Sequence, residues 1–178
     1  MIEYDEAVAA VEAAADWSAW APFAAVATSA PTTPGVCLFR ANSRIIYLGV
    51  AGPRDGNGRK DPTGLYGRFS IYRGGRITGF GQAIFDMALA DRDFLAARQA
   101  ELEAGSAQTR RRLGRAAYEH ISPDVRWTTV LTKLDALQLE KSIVGLLRVY
   151  DLLNREAIRY RARRPEGFSR IVPSGVSR

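Results

Sequence analysis

Six residues of types that do chemistry are spread through the chain in a definite order: Cys37, Tyr47, Arg68, Tyr72, Glu140 and Asn154. Arg68 and Tyr72 lie in TGLYGRFSIY, where Leu65, Phe69 and Tyr72 mark one apolar helix face. Side chains four positions apart meet on a helix, so this guanidinium and phenol can address one point. A guanidinium fork suits phosphate recognition. The same spacing also describes an arginine that lays its stem over the core edge with a tyrosine packed on it. Glu140 sits in KLDALQLEKSIVGLLRVYDLLN, whose Leu139, Ile143, Leu146, Leu147 and Tyr150 form a helical apolar stripe. Ala136, Val144 and Leu147 flank Glu140 at helical spacings, which puts the carboxylate beside the buried face. A carboxylate there is costly unless it is ion-paired or holds a cation. Tyr47 ends a strand just before Gly49, and Asn154 closes the long helix, where asparagine commonly caps. Cys37 is the single cysteine. It reads either as small core filling on an apolar strand or as the replacement of a residue that carried chemistry.

Several elements must position these side chains. Residues 3 to 17 read as an amphipathic helix with Val8, Val11 and Ala15 on one side. APFAAVATSAPTTPG, with three prolines, reads as a connector. GVCLFR and RIIYLGV are β-rich runs joined by a hairpin turn at ANS. AGPRDGNGRKDPTG is a basic loop, either merely solvated or in contact with phosphate. The helix after it can be capped by Asp61 or Thr63, with Pro62 near its first turn. QAIFDMALA, DRDFLAARQAELEAG (ended by Gly105) and SAQTRRRLGRAAYEHI (with Ser106 as cap) are helical, and DVRWTTVLT is a third strand. Trp17, Trp20 and Phe23 are expected to cap the core. This mixed order with a tight hairpin predicts the α+β class. It divides into an N-terminal helix and connector (1–33), a central domain (34–155) with a helical insertion at about 73–124, and a basic tail (156–178).

The totals bound the reading. With 178 residues, 47% hydrophobic and 25% charged, the chain suits one globular domain with an ordinary core. A single cysteine excludes a disulfide framework and a multi-cysteine metal site. The acidic opening turn is unlike a secretory signal, and no apolar run of about 18 residues predicts a membrane span. A cytoplasmic protein is expected. The net charge is +6, carried mostly by arginine. That excess fits nucleic acid as a partner, or a composition bias toward Ala and Arg. Arg110, Arg111 and Arg112, in RRRLGR, and RYRARR in the tail are candidate nucleic-acid contacts or solvated faces. No zinc spacing or phosphate-loop motif is present.

The ordered set resembles the GIY-YIG nuclease family. GVC (35–37) and YLG (47–49) stand where that family carries Gly-Ile-Tyr and Tyr-Ile-Gly on successive strands. Arg68 and Tyr72 match its helix arginine and the His or Tyr four residues on. Glu140 and Asn154 match a glutamate on a later helix and the asparagine that follows it. The likeness covers roughly residues 34 to 155. It implies a small antiparallel three-stranded sheet flanked by helices, and metal-dependent endonucleolytic hydrolysis of DNA or RNA. Glu140 would bind Mg²⁺ or Mn²⁺, an ion that keeps much of its hydration beside a single carboxylate. Arg68 would stabilise charge on the phosphoryl oxygens, and Tyr47 with Tyr72 would act on the water or phosphate. Gly35, Gly49 and Asn154 would be structural.

The departure is Cys37, which stands where the family has its first-motif tyrosine. Three readings follow. The nuclease works with a changed base, the thiol itself or Tyr47 or Tyr72 in its stead. Catalysis is lost and the domain only binds nucleic acid or a partner. Or the site has been reused, with Cys37 a nucleophile toward a small electrophile. His120 lies in the insertion, and nothing in the sequence brings it to Cys37.

Overall fold

The structure is a computed structural model and describes residues 2–52 and 64–162. The basic loop's Asp61, Pro62 and Thr63 and the tail beyond residue 162 lie outside the described residues. In chain order the elements are α1 (Tyr4–Ala13), β1 (Ala21–Pro22), α2 (Phe23–Val26), β2 (Gly35–Ala41), β3 (Arg44–Ala51), α3 (Gly64–Arg73), α4 (Phe80–Leu89), α5 (Arg92–Glu103), α6 (Arg110–Ile121), β4 (Asp124–Thr129), α7 (Lys133–Leu147) and α8 (Arg155–Ala162).

The class is α+β, and the sheet is antiparallel in the order β1-β4-β2-β3. Three strands are those expected. The fourth, β1, comes from the proline-rich stretch read as a connector: Ala21 pairs with Val125 and Pro22 with Asp124. A proline lacks a donor and is tolerated on such an edge. The Asn42–Ser43 turn joins β2 to β3 with both residues at positive φ, 50° and 63°. This is the left-handed geometry that suits a two-residue hairpin to strand twist.

Alternation along β2 sends its side chains to two cores. Val36 and Leu38 pack with Ala7 and Val11 of α1 and with Ile143 and Leu147 of α7. Cys37 and Phe39 pack with Leu65, Phe69 and Tyr72 of α3 and with Phe80 and Tyr118 from the helices between α3 and β4. A bulge on β3 keeps that second face in phase. Phe39 pairs with Tyr47 and Arg40 with Ile45, so Ile46 is the extra residue. The bulge turns Tyr47 to the face that Cys37 occupies, which a regular strand starting at Ile45 would not do.

The helix ends follow cap chemistry. Thr132 and Asp135 form a capping box at α7, Asp91 caps α5, and Gly105 at φ +79° follows the end of α5. Thr109, not Ser106, caps α6 by accepting from the Arg112 amide. α1 is shorter than its sequence pattern, and α7 stops at Leu147, well before Asn154. Phe23 enters the core, while Trp17 and Trp20 lie over Arg126, which Glu12 pairs at 2.5 and 2.6 Å. No helix among the described residues is long and apolar enough to cross a membrane.

The insertion helices are anchored at one close crossing. A Cβ on Gly114 of α6 would sit 2.3 Å from the carbonyl oxygen of Gly75, which is itself at φ +72°. Backbone cannot yield as a side chain can. Gly114→Val is therefore expected to lower stability by about 2–3 kcal/mol, read as a shifted urea midpoint with an unchanged slope.

Candidate active site

Pairing of β2 with β3 places Cys37 opposite Gly49 and Phe39 opposite Tyr47. α3 packs against both strands and brings Arg68 over the second. The Arg68 Nε and Nη2 both donate to the Val50 carbonyl, at 3.1 and 2.7 Å. This fork fixes the guanidinium one residue from Gly49. Its carbon lies 5.9 Å from the centre of the Tyr72 ring. Burial works against the guanidinium charge, yet Tyr72, Cys37, Tyr47 and Glu140 around it raise its pKa above the ordinary value. Glu140 is half-buried on α7, which packs on β3 and β2, and its charge reaches Cys37 and Tyr47 as well. Cys37, Tyr47, Arg68, Tyr72 and Glu140 therefore share one electrostatic neighbourhood centred on the β2–β3 pair.

Asn154 does not cap α7. It stands directly before α8, and its side-chain amide pairs with both backbone polar groups of one residue of the edge strand. The Leu48 amide donates to Asn154 Oδ1, and Asn154 Nδ2 donates to the Leu48 carbonyl, each at 2.9 Å. The Leu153 amide adds a bond to the Ile46 carbonyl at 2.6 Å. Residues 153 and 154 thus cover the open edge of β3 and hold it on either side of Tyr47.

Two glycines are spatial requirements. A Cβ on Gly35 would lie 2.3 Å from the Thr128 carbonyl oxygen of β4. A Cβ on Gly49 would lie 3.0 Å from Cys37 Sγ, 3.6 Å from the Tyr47 ring and 3.7 Å from the Tyr72 hydroxyl. Gly49 thus keeps the centre of the cluster clear.

Cys37 has no exposed surface, and its thiol donates to the Gly49 carbonyl at 3.4 Å. Burial pushes its pKa up to about 12 although Arg68 pulls the other way. It is a neutral core thiol, unlike the exposed thiolates that act as nucleophiles. His120 is no partner for it, because its Nε2 lies 2.9 Å from Asp91 Oδ2 at the start of α5. Two outcomes are expected. Thiol reagents label Cys37 only after the chain unfolds. Stability also falls at high pH, with the following sign. The folded thiol keeps its proton to about pH 12, while the unfolded one releases it near 9. This contribution to stability is fully present below pH 9 and is lost as pH rises toward 12, at about 1.4 kcal/mol per pH unit. Alkaline urea titrations of Cys37→Ala are expected to show a shallower fall.

Burial raises the Tyr47 pKa and raises that of Tyr72 further, with Arg68 opposing both. Tyr47 lines an open cleft of about 620 Å³ with Gln82, Asp86 and Met87 of α4 and Leu153. The Tyr72 hydroxyl is buried with no partner in good hydrogen-bond geometry among the described residues, yet it lies close enough to the Tyr47 phenol to oppose the rise in that residue's pKa. Arg110, Arg111 and Arg112 are exposed on the first turn of α6, and Arg112 pairs with Glu101 at 3.4 Å. The residue that α6 contributes to the phenol cluster comes from its last turn. It is Tyr118, which no sequence motif marks, as none marks Phe80.

Among the described residues no group of three or more His, Cys, Asp and Glu is assembled to hold a metal. Among the described residues Glu140 is the one carboxylate whose charge reaches Arg68, Cys37 and Tyr47. That donor set suits a hydrated Mg²⁺ or Mn²⁺ completed by a substrate's phosphate oxygens, and it does not suit a zinc cage. In comparisons with known proteins, no family model, no curated protein and no solved structure matches the chain.

Proposed function

We propose that the chain is an endonuclease of the GIY-YIG type, hydrolysing phosphodiester bonds of DNA or RNA. The observations that carry this reading are the gathering of Tyr47, Tyr72 and Arg68 about Gly49 and Val50 and the reach of the Glu140 charge to Arg68, Cys37 and Tyr47, on elements in the order the family resemblance implies. Glu140 would hold Mg²⁺ or Mn²⁺, which when bound polarises the phosphate and stabilises the departing oxygen. Arg68 presents a fixed positive charge where negative charge develops, and its fork to Val50 means that little reorganisation is needed. Tyr47 reaches the open cleft and touches the reacting group. Its raised pKa keeps it a hydrogen-bond donor in the resting protein, able to orient the attacking water or the phosphoryl oxygen. Tyr72, buried behind it, steadies Arg68 and the floor of the site. Cys37 packs and takes no chemical part. The arginine excess supplies affinity for the phosphate backbone, which falls steeply with salt.

The test is cleavage of mixed DNA and RNA substrates with Mg²⁺ or Mn²⁺, beside Glu140→Ala and Arg68→Ala purified in parallel. The wild type is expected to cut and both folded variants to lose activity. Equal cutting by all three would assign the activity to a contaminant. Salt-sensitive binding by a folded wild type that never cuts would instead make this a nucleic-acid-binding domain.

A further inference from the structure

Tyr118 sits in the last turn of α6, and the function proposed above makes no use of it. Its hydroxyl is buried without a partner among the described residues, and that of Tyr72 has none in good hydrogen-bond geometry, the Tyr47 phenol lying close to it. An unsatisfied buried hydroxyl is costly, so two in one cluster call for an explanation.

The two are not independent. Their rings lie 6.2 Å apart and tilted by 31°, and Phe80 meets both edge-on at 5.4 and 5.7 Å. Phe80 also stacks on Tyr47 at 4.7 Å. Each of the three phenol hydroxyls faces a glycine. A Cβ would lie 3.5 Å from the Tyr47 hydroxyl if built on Gly79, 3.7 Å from that of Tyr72 on Gly49, and 3.5 Å from that of Tyr118 on Gly81. The space that side chains would narrow at these positions is left to the hydroxyls. The charge states of the group are linked as well. Burial is the largest influence on Tyr118, followed by Tyr47 and Cys37, and Tyr118 in turn acts on Tyr72. Buried hydroxyls left short of partners by the protein are commonly joined by ordered water, which needs two to four polar neighbours. The phenols, the Cys37 thiol and the Gly49 carbonyl are such neighbours.

We infer that Tyr47, Tyr72 and Tyr118 share a hydrogen-bond network joined by water, open to the cleft at Tyr47, in which Tyr118 is a positioning residue that fixes the other two phenols for phosphodiester cleavage. The network is a claim about the fold. The positioning role rests on the nuclease reading. The insertion thereby becomes part of the site: α4 supplies Phe80 and the cleft wall, and α6 supplies the third phenol.

The experiment is a double-mutant cycle on stability, using Tyr72→Phe, Tyr118→Phe and the double variant. Phenylalanine keeps each ring and removes only the hydroxyl. If the hydroxyls share partners, each single variant unfolds at lower urea than wild type, and the double loses less than the sum of the two. If they are true orphans, removing either leaves the midpoint unchanged or raises it, and the effects add; that result would overturn the network. A second readout addresses positioning. Tyr118→Phe is expected to lower kcat on the order of tenfold with KM unchanged, whereas unchanged kcat in a coupled network would refute the positioning role. A wild type that does not cut at all removes the nuclease reading and the positioning role with it, while the stability cycle still decides the network.

Discussion

Arg68→Ala is expected to reduce the single-turnover cleavage rate on the order of 10²–10³-fold, the scale of losing one preorganised donor to developing charge. On the nuclease reading the loss should fall on the chemical step, since backbone binding would be shared among many surface arginines. Arg68→Lys is the more telling variant. A lysine keeps the charge but cannot make the paired donation to the Val50 carbonyl at 3.1 and 2.7 Å. Its ammonium would be free to move, so it should recover only a small part of the rate. The melting temperature should change little in the lysine variant, which separates chemistry from folding. If lysine restores full activity, Arg68 supplies bulk charge and not an aimed group.

Asn154→Leu should have the largest effect on stability. The leucine cannot satisfy the Leu48 amide or carbonyl, each now held at 2.9 Å. Each buried peptide group left unpaired costs about 1–3 kcal/mol, so a loss of about 2–5 kcal/mol follows. For a chain of this size that is a fall on the order of 10 °C in Tm. Asn154→Asp tests the same geometry more finely. It keeps the acceptor for the Leu48 amide but sets an anionic oxygen against the Leu48 carbonyl, so it should also destabilise. Both variants loosen β3 beside Tyr47, and cleavage should fall even at temperatures where they remain folded. Thermal melts together with cleavage rates check this. A stable Asn154→Leu with unaltered activity would show that the edge strand needs no such clamp.

The hairpin is legible in the sequence because β2 and β3 are apolar, β-rich and joined by a turn that tolerates positive φ at Asn42 and Ser43. α7 is legible because its apolar stripe keeps helical spacing. β1 is not, since two residues bound to the outer edge of β4 leave no periodic trace. Nor is the true end of α7. Leucines and Tyr150 continue the apolar pattern, while the chain actually turns to lay residues 153 and 154 along β3. The residue types of the candidate site are legible as an ordered set. Their meeting is not, for it depends on a bulge at Ile46 that sets the phase of Tyr47. The part played by the insertion is the least legible. Tyr118 and Phe80 reach the cluster only through the packing of α4 on α6 and the close Gly75–Gly114 crossing, both long-range facts.

The central claim is that Arg68 and Glu140 serve one reaction on a phosphodiester bond. A double-mutant cycle on cleavage tests it most directly, comparing wild type, Arg68→Ala, Glu140→Gln and the double variant under single-turnover conditions. If both residues act on the same developing charge, each single variant loses most of the rate and the double is scarcely slower than the worse single. If the two losses simply multiply, or the wild type leaves DNA and RNA intact with Mg²⁺ and with Mn²⁺, the two residues do not form the reaction site described.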